Sequence, residues 1–285
     1  MEESPLESSL SKALRRPPRA TASACLDWLG QAGFAIRGSG RLLLIDPYLS
    51  DSLAEKYRGK EFAHVRMMPS PLAPEDARGL DVVLCTHRHG DHMDPATLPL
   101  LARGNLECRF VVPRAERDRA LAIGIPEPRI LAIDAGETLR PAEGIRVDAI
   151  AAAHEDLARN DRGEFLCLGY IVTVGGLRIY HSGDCVPYQG LEKTLRGGAI
   201  DVALLPVNGR SERLSSRGIP GNFFLDEAVD LCRAAGIRFL FCHHWGMFDF
   251  NTIDPREAAE KIARLDAGVR CVMPRVGVSY LLEKT

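Results

Sequence analysis

CTHRHGDHMD, residues Cys85 to Asp94, decides how this chain is read. Three of its 8 histidines, His87, His89 and His92, fall inside this stretch with Asp91 among them. A lone histidine near a strand end is ordinarily a hydrogen-bonded structural residue. Three with an aspartate at HxHxDH spacing form a ligand set. In an extended loop, side chains i and i+2 point the same way, so His87 and His89 can grip one ion together. After Gly90 the spacing predicts a turn into a helix, which aims Asp91 and His92 at a second point close by. Such a mixture of imidazole and carboxylate suits zinc, manganese or iron(II).

Outward from the cluster, the chain runs strands first and then strand and helix in turn. ACLDWLGQAGFAIRGSGRLLLIDPYL reads as strands around Gly38–Gly40, and DVVLC (Asp81–Cys85) is a short strand leading into the histidines. FVVP, RILAID and IRVDAIAAA continue the pattern, the last running to His154. GYIVTV and LRIYHSGD form a hairpin about Gly175-Gly176; DVALLPV is a buried strand, and IRFLFC ends at His243-His244. Two helices are punctuated. FLDEAVDLCRAAG puts Leu225, Ala228, Val229 and Cys232 on one face and stops at Gly236. DPREAAEKIARLDAG has Asp254 as N-cap, Pro255 in the first position and Glu257 at the capping-box position.

His87, His154, Asp184 and the pair His243/His244 therefore each fall at or just past a strand end, where a rigid sheet presents chemistry. His154 can complete the first site, Asp184 can bridge two ions, and one of His243 and His244 can complete the second. Spacing alone does not choose between those two. Two ions about 3.5–4 Å apart clamp a water and lower its pKa toward neutrality. The ligand set is that of a hydrolytic centre.

Composition bounds the rest. With 285 residues, 46% hydrophobic, the chain is long enough for a sizeable core. The polar, Pro-broken opening MEESPLESSLSKALRRPPRA carries no apolar h-region and is expected to be a mobile lead-in over 1–20, ahead of one domain over 21–285. A formal net charge of -2 leaves no broad basic field for nucleic acid or an anionic membrane. No apolar run approaches the roughly 20 residues of a membrane span. The 8 cysteines form no CxxC pair, and several sit in apolar runs such as VVLC and FLFC. Reduced, buried thiols in a cytoplasmic protein are expected. The partner is a small-molecule substrate; a homo-oligomer stays open.

Further residues surround the cluster. Asp46 in LIDPYL is placed to hold an imidazole in its ligating tautomer, with a turn cap before Pro47 as the alternative. His181, just before Gly183-Asp184, supports the ligands or is simply a strand residue. His64 in EFAHVR has no metal-type neighbour and is expected on the surface, and Cys185 is expected to be a core thiol. Asn208 and Arg210 follow a strand, and Arg210 offers a planar fork for a substrate phosphate or carboxylate. The alternative for Arg210 is a surface position at the head of the loop Ser211–Asn222, itself a candidate lid.

HxHxDH, a later histidine, a Gly-Asp at a strand end and a last histidine together resemble the metallo-β-lactamase superfamily. The resemblance implies an αββα sandwich: two facing mixed sheets flanked by helices, with a binuclear metal site at one edge. It also implies two divalent ions per chain, zinc or manganese, with iron as a further option. Within the superfamily the likeness is to the L-ascorbate-6-phosphate lactonase-like hydrolases. It is carried by WLGQAGFAI (Trp28–Ile36), LIDPYLS (Leu44–Ser50), THRHGDHMD (Thr86–Asp94), YHSGD (Tyr180–Asp184), LPVNGR (Leu205–Arg210) and HHWGMF (His243–Phe248), and it spans roughly residues 24 to 282. HWGMF aligns His244 with the ligand position and leaves His243 to face the substrate or the sheet packing. A departure from the named lactonase at His154, a plain histidine here, means that the metal site transfers while the exact substrate does not.

The implied activity is opening of a lactone or related ester of a small acidic metabolite, a sugar acid or a phosphorylated compound. Asp91 and Asp184 then stand at the chemistry, Asp91 passing a proton to the leaving oxygen. The principal rival is a phosphodiesterase of the N-acyl-phosphatidylethanolamine-hydrolysing phospholipase D type, which shares HWGxF. The near-neutral charge speaks against a nuclease, and the lack of an apolar amphipathic anchor speaks against a lipid enzyme. A di-iron redox centre would carry more carboxylate, and a non-catalytic scaffold would have lost ligands.

Overall fold

Two sheets account for every strand in the computed structural model, which describes residues 1–5, 10–14, 23–265 and 268–284. The first holds β1 (Glu2–Pro5), β2 (Ser23–Gly30), β3 (Gly33–Gly38), β4 (Arg41–Ile45), β5 (Val82–Leu84), β6 (Arg109–Pro113), β7 (Ile130–Ile133) and the last strand, β15 (Val278–Glu283). Their order is β1-β15-β2-β3-β4-β5-β6-β7. The second holds β8 (Thr138–Ala142), β9 (Ile145–Ala151), β10 (Leu168–Val174), β11 (Leu177–His181), β12 (Val202–Pro206), β13 (Phe239–His243) and β14 (Arg270–Val272), in the order β14-β13-β12-β11-β10-β9-β8.

The strands alternate, and both of their faces are covered. Leu26, Phe34, Ile36 and Leu43 of the first sheet meet Tyr170, Val172, Ile179, Leu204 and Phe241 of the second in one buried layer. Burying each such side chain contributes roughly 1.5–3 kcal/mol. Behind the first sheet, α1 (Leu10–Leu14), α3 (Leu98–Gly104) and α4 (Arg117–Ala122) set Leu10, Leu98, Leu101 and Ala120 against Leu44, Val83 and Phe110. Behind the second, α5 (Leu191–Gly197), α7 (Leu225–Ala235) and α8 (Pro255–Arg264) cover Tyr180, Ala203 and Leu240. Sheets covered on both faces explain why VVL and VALLP read as unbroken apolar runs. The layers are α, β, β, α.

Parallel pairing of β4, β5 and β6, and of β11, β12 and β13, brings the C-terminal ends of these strands to one edge of the sandwich. The loops that leave this edge carry the histidines.

Several expectations need correcting. Two parts of the opening stretch, expected to be mobile, are packed: Glu2–Pro5 pairs antiparallel with β15, and α1 buries Leu10, Ala13 and Leu14. Its polar look arises because β1 is an exposed edge strand and α1 buries only one face. Residues 6–9 and 15–20 of that stretch lie outside the described residues. The strand expected to reach His154 stops at Ala151, so His154 stands in a loop. The segment after Gly90 makes a single helical turn, in which the N–H groups of His92 and Met93 donate to the His89 carbonyl at 3.0 and 2.7 Å. The next α-helix after α2 (Ser52–Lys56) is α3, which begins only at Leu98.

The two C-terminal helices keep their punctuation. Gly236 ends α7 at φ 75°, and the Asp254 side chain accepts the N–H groups of Arg256 and Glu257. Among the described residues no helix is long and apolar enough to cross a membrane.

Candidate metal centre

Asp46 follows β4 directly, and its carboxylate organises the centre from beneath. It accepts the backbone N–H of Thr86 at 2.8 Å, the Thr86 hydroxyl at 2.6 Å and the Nδ1–H of His92 at 2.7 Å. With Nδ1 protonated, His92 turns the lone pair of Nε2 outward. The loop after β11 delivers Asp184 opposite it through Gly183, at φ 62°. A Cβ on Gly183 would lie 2.7 Å from Thr86 Cβ, so only glycine lets this loop approach the first sheet so closely. Three non-glycine residues at the centre are also left-handed: Gln31 (φ 50°), Asp46 (φ 46°) and His244 (φ 61°). Such backbone costs on the order of 1–3 kcal/mol per residue and concentrates at functional sites.

The ligand atoms fall into two sets that share Asp184. In the first, His87 Nε2 lies 3.0 Å and His154 Nε2 3.3 Å from His89 Nδ1, and His154 Nε2 lies 3.7 Å from Asp184 Oδ2. In the second, His92 Nε2 is 3.3 Å from Asp184 Oδ1, His244 Nε2 is 3.2 Å from Asp184 Oδ2, and both nitrogens are 3.7 Å from Asp91 Oδ2. Tetrahedral coordination at about 2.0–2.2 Å places ligand atoms roughly 3.3–3.6 Å apart. The separations of 3.2–3.7 Å lie near that spacing in both sets, and His87 and His89 stand closer, at 3.0 Å. A second sign is that His92 Nε2 and Asp184 Oδ1 are buried and make no hydrogen bond, which is costly unless something else satisfies them.

Charge fits the same reading at His87, His154 and Asp184, while at His92 burial is outweighed by the carboxylates of Asp184, Asp46 and Asp91, which raise it well above the ordinary histidine range. Burial, helped by the imidazoles of His92 and His89, pushes His87 well below the ordinary histidine range. Burial also takes His154 down to about 4. Both are therefore neutral at pH 7, the form that binds metal. Burial opposes ionisation of Asp184, but His244 and His92 beside it outweigh that and hold the carboxyl well below the usual range.

A cleft of about 760 Å³ opens on His89, Asp91, His154, Asp184 and His244, a size suited to a small molecule. Lys56, Lys60, Arg88 and Arg119 stand around it, and Arg217 pairs with Glu61 across it. Arg217, Gly218, Ile219 and Pro220 of the 211–222 loop form one wall. His64 forms part of another, which corrects its expected place on the surface. It is half-buried, with its ring stacked on Tyr57 at 4.3 Å and lying against Phe248 and Phe250. Aromatic packing, invisible in the local stretch EFAHVR, draws it inward.

Of the other residues singled out in the sequence, His181 faces the interior between the sheets. Its Nδ1 accepts the N–H of Gly183 at 3.0 Å, and its Nε2 lies 2.8 Å from the carbonyl of Ala32. It thereby braces the turn that carries Asp184. Cys185 is a buried thiol among the apolar residues behind the second sheet.

Three residues expected to touch substrate do not line the cleft. His243, the last residue of β13, shares the inward face with Phe241 and stacks on His181 at 4.8 Å; it is fully buried and neither ring nitrogen has a partner. Arg210 gives both arms of its fork to Glu227 at 2.7 Å and lies over the Phe224 ring, so no fork is left for a substrate. Asn208 stands behind the wall, donating to Asn251 at 2.7 Å and accepting from Asn222 at 3.1 Å; Asn251 is the residue that reaches the cleft. Gln31 was missed. Its signal was a polar residue at the tip of an otherwise apolar β2–β3 turn.

Comparison with known proteins agrees with this geometry. Residues 41–245 match the family model described as "Beta-lactamase superfamily domain". A relative from Archaeoglobus fulgidus named "UPF0173 metal-dependent hydrolase" is 26% identical over 272 residues, covering 91% of this chain and 99% of its own. A relative of the same name from Nitratidesulfovibrio vulgaris is 28% identical over 267 residues, covering 91% and 96%. Among solved structures, the metallo hydrolase Igni18 from Ignicoccus hospitalis superposes with a TM-score of 0.70 at 19% identity, covering 92% of this chain and all of its own.

Proposed function

This chain belongs to the metallo-β-lactamase superfamily and is a metal-dependent hydrolase, and from that premise we propose that it holds two divalent ions and opens a lactone or related ester of a small acidic metabolite. His87, His89, His154 and Asp184 would hold one ion; Asp91, His92, His244 and Asp184 would hold the other. Such a pair supplies Lewis acidity and an activated water at neutral pH. The chain's own part is to keep both ligand sets at fixed spacing through Asp46, Thr86 and His181. Asp91, which lines the cleft, would take the proton released by the attacking water and pass it to the leaving oxygen.

One observation carries this reading. The cleft that exposes the ligands is ringed by Lys56, Lys60, Arg88 and Arg119, although the chain as a whole is net acidic. Among the described residues neither Lys60 nor Arg119 has an ion-pair partner, and Arg88 lies a loose 3.9 Å from Glu116. Cations gathered around a cleft attract and orient an anionic substrate.

A substrate panel on the zinc- and manganese-loaded protein is the test. Acidic lactones should be turned over with a higher kcat/KM than their neutral counterparts, and a K56E/K60E double variant should shrink that difference through KM. Turnover of phosphodiesters with no lactone opened would replace the reading with the phosphodiesterase one.

A further inference from the structure

Gln31 lies at the tip of the β2–β3 turn, is 1% exposed, and aims its carboxamide at the Asp91–His244 edge of the second ligand set. Its Nε2 is 2.9 Å from Asp91 Oδ2 and 3.0 Å from His244 Nε2, whereas its Oε1 is buried with no partner at all. The arrangement is unfavourable as it stands, because a buried carbonyl oxygen without a donor costs about 1–3 kcal/mol. A half-turn about the last side-chain bond exchanges the two terminal atoms and brings the oxygen to the edge.

The Gln31 carboxamide stands as close to the second ligand set as the members of that set stand to one another. His92 and His244 each lie 3.2–3.7 Å from Asp91 and from Asp184. The end of the Gln31 side chain lies within 3.0 Å of both Asp91 Oδ2 and His244 Nε2, so an ion seated on those two atoms meets it as well. We propose that the Gln31 carboxamide oxygen is a fifth ligand of the second ion, set across the Asp91–His244 edge.

The left-handed backbone at Gln31 fits this role. The His244 N–H donates to the Gln31 carbonyl at 2.9 Å, so the two strained residues are tied together and their side chains are fixed relative to one another. A hard amide oxygen would tilt the second site toward manganese or iron(II) and away from a soft, purely nitrogen environment.

The inference rests on the two-ion part of the reading above, and the test separates the two. Zinc and manganese affinities are measured by chelator competition for the wild type, Gln31→Met and Gln31→Glu, side chains of nearly equal length. Gln31→Met should weaken one of the two ions about tenfold or more. Gln31→Glu, which keeps an oxygen, should hold that ion at least as tightly as the wild type. Unchanged affinity of the other ion reports that both variants are folded. Wild-type affinity in Gln31→Met overturns the proposal. Equal weakening in both variants also overturns it, because then the amide hydrogen given to Asp91 is what matters. A wild type that takes up only one ion sinks this inference and the two-ion reading together.

Discussion

Asp46 Oδ2 lies 2.7 Å from His92 Nδ1, and the pair is wholly buried beneath the ligand atoms. The bond fixes which nitrogen of His92 can bind an ion. Asp46→Ala should therefore weaken the ion on His92 by about 10–100-fold while leaving the His87/His89/His154 set loaded. Chelator competition checks this, and equal affinity in the variant would show that the imidazole is oriented by packing alone.

Asp184 is the residue that both ligand sets contact. His92 and His244 approach it at 3.3 and 3.2 Å, and His154 at 3.7 Å. Asp184→Ala should bring the metal content of purified protein to less than one ion per chain and lower turnover by about 10²-fold or more. Elemental analysis showing two ions in the variant would refute the shared role.

The sequence made part of this centre legible and hid the rest, for a physical reason. HxHxDH can be read because its ligands are neighbours, and apolar runs such as VVL and FLFC mark the strand ends that carry the others. Contacts across the fold cannot be read. Gln31 meets Asp91 sixty positions away, and Arg210 meets Glu227 seventeen positions away. Neither partner leaves a local trace. His243 and His244 are adjacent and chemically identical, yet one sits in the core and the other at the cleft. The left-handed backbone at His244, not residue type, separates them.

Arg210→Ala should leave KM unchanged for every anionic substrate that the protein turns over. The side chain is committed to Glu227, and both partners are partly exposed. Its loss should cost only about 0.2–1 kcal/mol in chemical denaturation. A rise in KM with unchanged stability would return Arg210 to substrate binding.

Thiol chemistry offers an independent check of the fold. All 8 cysteines are free, six of them buried, and burial pushes every thiol upward. Cys85 and Cys242 rise well above the ordinary value, Cys167 and Cys185 rise to about 12, and Cys271 to about 11. A raised pKa keeps the unreactive protonated form at pH 8, so labelling of the native protein should be slow and should accelerate as pH increases. Unfolded protein should label at all 8 positions promptly. Fast native labelling of more than the two half-buried thiols, Cys167 and Cys271, would contradict the packing.

His243 and His244 give the sharpest contrast. His244 Nε2 faces Asp184 at 3.2 Å from the floor of the cleft, so His244→Ala should lose one ion of the two. His243 is stacked on His181 between the sheets, burial holds it well below the ordinary histidine range, and neither of its nitrogens is hydrogen-bonded. A buried polar group without a partner costs about 1–3 kcal/mol. His243→Leu removes that cost and gives up the ring stacking in exchange. It should therefore keep both ions and unfold at a denaturant concentration no lower than the wild type. Metal content and an unfolding curve on the two variants decide the matter. Loss of an ion from His243→Leu with both retained by His244→Ala would reverse the assignment and place the ligand on the last residue of β13.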